Sequence, residues 1–187
     1  MTKNDLQKAK ERIDEINKRY ATSYKECYDA AAAELREQTR PGQVLPKIPG
    51  IATQNQRDIL RGKAQELRAE AQTEIDKLRA SIDATKTEAP SEDATRYVTM
   101  LAMRGHITQD DIDLAATTYG GNFATLKALN NIALRHDLMP HEHPIERTEA
   151  ATESLARAVG QYGADLKADP SSVEAKMNFV SANIGDL

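Results

Sequence analysis

The sequence predicts an all-α protein, a long antiparallel coiled-coil hairpin followed by a small C-terminal helical bundle. Three observations carry this expectation. Two long charged stretches each hold an apolar seam at three- and four-residue steps, a proline- and glycine-bearing segment separates them, and no stretch alternates apolar and polar residues with period two.

The first stretch predicts a helix over about residues 3–39. Leu6, Ala9, Ile13, Ile16, Tyr20, Tyr24, Cys27, Ala31 and Leu35 form one seam, with Lys, Glu, Arg, Asp and Gln between them. That spacing keeps the seam on one face of a gently supercoiled helix. The second stretch, about residues 54–84, repeats the pattern through Leu60, Ala64, Leu67, Ala71, Ile75, Leu78 and Ile82. Each helix alone would leave a long apolar stripe in water, so each needs a partner. The nearest partner is the other arm folded back, although two such stripes could also serve a bundle between chains. Residues 1–84 therefore read as the hairpin, with its tip at 40–55.

The tip reads "RPGQVLPKIPGIATQN" and sets Val44, Leu45, Ile48 and Ile51 among three prolines. Pro41, Pro46 and Pro49 each remove an amide donor and bias the preceding residue towards extended backbone, so helix cannot run through. Two readings of the apolar residues stay open. They fold down as a cap on the last helical layer, or some stay exposed as a docking tip. Between Arg36 and Lys63, six cations (Arg36, Arg40, Lys47, Arg57, Arg61, Lys63) face only Glu37 and Asp58, a local charge of +4. An apolar centre with a basic rim suits an acidic protein partner. The expected docking residues are Arg40, Val44, Leu45, Lys47, Ile48, Ile51, Arg57 and Arg61.

"TKTEAPSED", residues 85–93, breaks the periodicity and reads as a polar linker in which Ser91 caps the next helix. Residues 94–187 read as the compact bundle. Ala94, Tyr97, Val98 and Leu101 share one face of a helix that stops at Gly105. Thr108 with Asp111 approximates a capping box for a second helix, which Gly120 and Gly121 close. Asn122 caps a third, burying Phe123, Leu126, Leu129 and Ile132. A longer helix over 145–167 carries Ala151, Leu155, Val159, Tyr162 and Leu166. A last one starts at Pro170 with a Ser171/Glu174 capping box and places Val173, Met177, Val180 and Ile184 on one side.

Composition narrows the function. The 187 residues contain no Trp, two Phe and 28 Ala, and aromatic residues make up only 4%. Small side chains suit close helix contacts; they do not line a ligand cavity, where aromatics usually supply the burial. Cys27 is the only cysteine, which excludes an internal disulfide and a cysteine-rich zinc site; its amphipathic surroundings make it a packed thiol. No apolar run approaches the length of a membrane span, and "MTKNDLQKAK" lacks a signal-peptide core. A cytoplasmic location is expected, or a virion-associated one for a phage-derived chain. The net charge of −4 is uneven: residues 1–84 carry 16 Lys/Arg against 14 Asp/Glu, and residues 85–187 carry 9 against 15. Different neighbours for the two parts follow.

Reactive constellations are sparse. His136, His141 and His143 lie near Asp137 and Glu142 in "HDLMPHEHP", but in a proline-bounded loop without HExxH or paired Cys, and they read as solvated loop residues. Asp110, Asp111 and Asp113 open a helix, where free amides favour negative charge. Neither a nucleophile motif nor a phosphate-cradling glycine loop is present. Arg57, Arg61 and Arg68 share one helical face beside the seam. Facing carboxylates account for them, and the alternative is a phosphate-contacting stripe. The acidic pI and the lack of interleaved aromatics speak against nucleic acid.

Two resemblances add to this. "MLAMRGHITQDDIDLAATTYGGNFATLKALNNIA", residues 100–133, resembles ubiquitin-associated-type three-helix domains in its helix–Gly–helix–GGN–helix rhythm, which implies partner binding through the first loop and third helix. The seams Leu6–Leu35 and Leu60–Ile82, followed by "TKTEAPSED" and a small helical part, resemble phage scaffolding and head–tail structural proteins. That likeness implies an oligomeric, coiled-coil protein binding a coat or portal protein through one end. The expected function is a non-enzymatic structural or assembly protein, scaffold-like, homo-oligomeric, with no cofactor and no metal, binding protein partners through the tip and the bundle. A nucleic-acid-associated protein is the alternative, and a metal-dependent helical enzyme a further one.

Overall fold

The computed structural model describes residues 3–44, 48 and 50–183, and among them there are seven helices and no strand. They are α1 (Lys3–Gln38), α2 (Gln54–Lys86), α3 (Glu92–Ala102), α4 (Gln109–Tyr119), α5 (Phe123–Arg135), α6 (Pro144–Gly160) and α7 (Pro170–Asn183). The all-helical hairpin-plus-bundle class expected from the seams is the class observed.

α1 and α2 pack antiparallel along their seams. Ile13, Ile16, Tyr20, Tyr24, Cys27 and Ala31 of α1 share one buried cluster with Leu60, Ala64, Leu67, Ala71, Ile75 and Leu78 of α2. Polar pairs beside the seam fix the register. Arg12 meets Glu74, Arg19 meets Glu70, Lys63 meets Glu26, and Asn55 and Gln56 donate to Glu34. The partner number falls on α2 as it climbs on α1. Cys27 is buried in the seam, and burial pushes its thiol above the usual range, the state of a packed thiol.

The chain divides into two compact units, and the division differs from the expected one. One unit is Arg79–Ala150. The other joins the hairpin, up to Leu78, with the C-terminal stretch from Ala151. Residues 94–187 therefore do not form a single bundle: α7 and the end of α6 belong with the hairpin. Leu155, Val159, Tyr162, Val173 and Met177 enter the hairpin's own cluster, and α7 packs on α1. The physical reason lies in the seam itself, whose Ala, Tyr and Cys positions are too small or too polar to be closed by two helices alone.

α6 also ends earlier than the stripe 145–167 implies. It stops at Gly160, turns follow at 161–164, and Gly163 adopts φ +75°, a left-handed conformation that favours glycine. α7 is capped by Asp169, whose carboxylate accepts from the Ser171 amide (2.9 Å) and hydroxyl (2.5 Å), rather than by the expected Ser171/Glu174 box. Those bonds hold the Asp169 carboxyl below its ordinary range. Ile184 lies outside the described residues.

In the Arg79–Ala150 unit the local signals hold. Ser91 accepts from the Ala94 amide, Thr108 and Asp111 form a reciprocal capping box, and Asn122 accepts from the Thr125 amide. The core is Leu101, Ile107, Ile112, Ala115, Leu126, Leu129, Ile132 and Ala133. Asn122 also donates to the Glu88 carbonyl (3.0 Å), and Lys86 pairs with Glu149 (2.5 Å), tying in the linker and both ends of the unit.

Candidate functional site

The described apolar residues of the hairpin tip divide into two exposed ones, Val44 and Ile48, and a buried one, Ile51. Pro41 and Gly42 occupy the second and third positions of a turn closed by the Gln43 amide on the Arg40 carbonyl (3.0 Å), with Gly42 at φ +87°, the requirement of a type II turn. Val44, just beyond, is 93% exposed, and Ile48 is 40% exposed. Ile51 is fully buried in the hairpin core. Its amide donates to the Leu166 carbonyl (2.9 Å), and Gly50, at φ +71°, lies so close to Leu166 and Lys167 that a Cβ there would sit 2.2 Å from the Leu166 oxygen.

Ile51 thus leaves the expected docking set, because a residue that closes the core cannot meet a partner. Arg57 is likewise turned inward: its Nε donates to the Ile51 carbonyl (2.7 Å). Arg61 is exposed and pairs with Asp58 one turn earlier on the same helix (3.0 Å). Arg40 is exposed beside the turn, as is Arg36. Leu45 and Lys47, also expected to dock, lie outside the described residues. Among the described residues, the exposed charged and large apolar side chains near the tip are Arg36, Glu37, Arg40, Val44, Ile48, Asp58 and Arg61, with Ile59, 42% exposed, in the second turn of α2.

The arginine stripe is engaged as well, though not with the carboxylates of the facing helix. Arg57 binds a backbone carbonyl, Arg61 a carboxylate of its own helix, and Arg68 donates to the Tyr162 carbonyl. That last bond belongs to a cluster sequence reasoning did not foresee. Tyr162 stacks on Tyr20 (centroids 4.4 Å apart, planes within 6°) and donates to the buried Asn17. The Tyr20 hydroxyl accepts from the Gly163 amide (2.7 Å), and Tyr24 donates to the Ala168 carbonyl (2.8 Å). Burial raises all three phenols above their ordinary range, Tyr24 to about 12. They are locks that hold residues 161–169 on the hairpin. A signal was present: two tyrosines in a seam of Ile, Ala and Cys must place their hydroxyls against acceptors or donors.

A groove of about 810 Å³ runs between α1 and the start of α7. Its walls mix Lys18 and Lys25 with Asp29 and Glu174, with Tyr28 and Met177 between them. No single charge sign dominates there, and no set of convergent donors does either.

The histidine loop is more ordered than a solvated loop. His143 is buried, its Nδ1 accepting from the Ile145 amide (3.1 Å) and its Nε2 3.3 Å from the Gly121 carbonyl, with the ring edge-on to Phe123. An amide can only donate, so the proton of the neutral ring sits on Nε2. His141 Nε2 lies 2.9 Å from Asp113, and the loop backbone is held by Asn130. Among the described residues, no three His, Cys, Asp or Glu side chains converge to hold a metal ion. None of the described helices is long and apolar enough to cross a membrane.

No protein-family model, no curated protein and no solved structure matches this chain.

Proposed function

We propose that the chain is a non-enzymatic assembly or adaptor protein that captures an acidic protein partner on the tip of its hairpin. The observation that carries the reading is Val44, a large apolar side chain 93% exposed immediately after the Arg40–Gln43 turn, with Arg40 exposed at the start of that turn and Arg36 exposed in the last turn of α1. An isolated exposed apolar residue needs no explanation, but Ile48, four positions on in the same segment, is exposed as well, and the segment carries a net positive charge. The Ile51 amide bond to the Leu166 carbonyl anchors the end of this segment on the hairpin, and anchoring a binding segment lowers the entropy cost of ordering it. Hydrophobic contact supplies adhesion, and the arginines orient the partner. The helical make-up and the likeness to scaffolding proteins support an assembly role. Engagement of Arg57, Arg61 and Arg68 within the chain favours protein over nucleic acid as the partner.

The test is a selection of displayed peptides on the whole chain, counter-selected on the Val44→Ser/Ile48→Ser variant. Acidic sequences with apolar residues should be enriched, bind the wild type more tightly at low salt, and lose the variant while its circular dichroism is unchanged. Enriched peptides that bind both proteins equally would retire the proposal.

A further inference from the structure

Along the hairpin, arginines of α1 meet carboxylates of α2: Arg12 meets Glu74 (3.2 Å) and Arg19 meets Glu70 (2.8 Å). The arginines of α2 itself find no such facing carboxylate. Arg61 and Arg68 border an open cleft of about 320 Å³, with Ala64 and Gln65 between them and the turn of Tyr162, Gly163 and Ala164 against them. None of the described residues lining this cleft is Asp or Glu. The groove between α1 and α7, by contrast, sets Lys18 and Lys25 against Asp29 and Glu174.

The two cations are held without being fully neutralised. Arg68 donates through Nη2 to the Tyr162 carbonyl, a neutral acceptor, so its charge stays unbalanced. That bond also ties the two walls of the cleft together. Arg61 pairs through Nη1 with Asp58 (3.0 Å), but both side chains are more than half exposed, and such a pair is weak in water. It yields to a stronger acceptor. Arg61, Gln65 and Arg68 stand at steps of four and three, which places them on one face of α2 with about 10 Å of helix between the arginines. Gly163 lets the turn lie this close to α2, since a Cβ there would stand 3.1 Å from the Ala64 Cβ.

A guanidinium presents paired N–H donors that match the oxygens of an oxyanion. One such fork serves a planar carboxylate. Two forks bordering one cleft, with a carboxamide donor between them, suit a group whose oxygens point in several directions and whose charge exceeds one. A phosphate monoester meets both conditions, with three free oxygens and a charge of about −1.5 to −2 at neutral pH. We propose that the Arg61–Arg68 cleft is a binding site for a phosphate group, free or as the monoester end of a small molecule. Arg68 is preset by its bond to Tyr162, Gln65 donates between the arginines, and Arg61 leaves Asp58 to complete the grip. Two cations in one cleft, rather than a basic track, separate the site from a nucleic-acid surface. The assignment goes beyond the docking reading of the tip and stands without it.

A nuclear magnetic resonance titration of the whole labelled chain tests this, with inorganic phosphate, glycerol phosphate and acetate at matched ionic strength. The Gly163 and Ala164 amides and the Gln65 side-chain amide should shift saturably with at least one phosphate compound, and acetate should bind about tenfold more weakly or less well still. Whichever phosphate binds more tightly identifies the source of the group. Arg61→Gln, at an exposed position, should weaken binding about tenfold or more with circular dichroism unchanged. Arg68→Lys keeps a charge and a donor for the Tyr162 carbonyl, yet loss of the fork should also weaken binding about tenfold. Shifts that fail to saturate, that map elsewhere, that acetate reproduces, or that survive either substitution unchanged would overturn the site. Duplex DNA that displaces phosphate from these residues and binds more tightly than either compound would make it a nucleic-acid contact and overturn the small-ligand assignment.

Discussion

The two compact units reach stability by different routes. In the α3–α5 unit the core comes from helices adjacent in sequence, and each helix starts on its own cap: Ser91, Thr108 or Asn122. Its longer bonds are modest in span, as where Gln109 holds Met139 30 residues away. In the hairpin unit the seam is closed by residues from the far end of the chain. Tyr162 reaches back 145 residues to Asn17, and Tyr24 and Tyr20 reach forward nearly as far. Local units form early and at low entropic cost, whereas distant closures must offset a large loss of chain freedom. The hairpin unit thus adds long-range locks to its shared apolar seam, whereas the smaller unit relies on short-range contacts and local caps.

That contrast can be broken at its strongest point first. Tyr162→Ala removes a fully buried ring stacked on Tyr20 and should cost about 3–5 kcal/mol in the hairpin unit. Hydrogen exchange should show protection lost along α1, α2 and α7 while α3–α5 keeps its own. Equal loss in both units would mean that they fold as one. Gly50→Ala places a methyl group against the Leu166 carbonyl at a positive φ and should cost about 1–3 kcal/mol, again confined to the hairpin unit. It should also loosen the tip, so peptide capture weakens along with stability.

Alkaline pH sharpens the same comparison. Burial favours the neutral phenol, so Tyr24 titrates near 12 when folded and near 10.0 when unfolded. A folded-state value raised in this way contributes stability that is complete below pH 10 and is lost as pH rises from there through 12. Tyr20 and Tyr162 shift in the same direction and act at the same junction. Tyrosinate absorbance should therefore rise together with loss of protection in α7, and Tyr24→Phe should blunt that coupling. A smooth titration with no loss of α7 protection would count against the locks.

The smallest effects lie in caps and surface pairs. Thr108→Ala should destabilise the three-helix unit by about 1 kcal/mol and leave the hairpin unit untouched, seen as a shift of one unfolding transition only. Arg19→Gln breaks a pair whose two side chains are half exposed, and in water such a pair contributes about 1 kcal/mol or less. A larger loss would mark that pair as a determinant of register.

The sequence by itself determined the two hairpin arms and the caps of α3, α4 and α5, because seam spacing, capping side chains and turn residues act over a few positions and need no knowledge of distant chain. The end of α6 and the Asp169 cap of α7 escaped it. It also marked the tip as apolar and basic. Tertiary structure alone decided what closes the seam. An apolar stripe shows that a face is buried without saying against what, so the stretch from Ala151 onwards read as part of a bundle with α3–α5, whereas the tyrosine hydroxyls meet Asn17, Gly163 and Ala168. The same closure separated Ile51 from Val44. Both are apolar residues of one proline-rich segment, and only the Leu166 carbonyl, 115 residues downstream of Ile51, put one in the core and left the other in water.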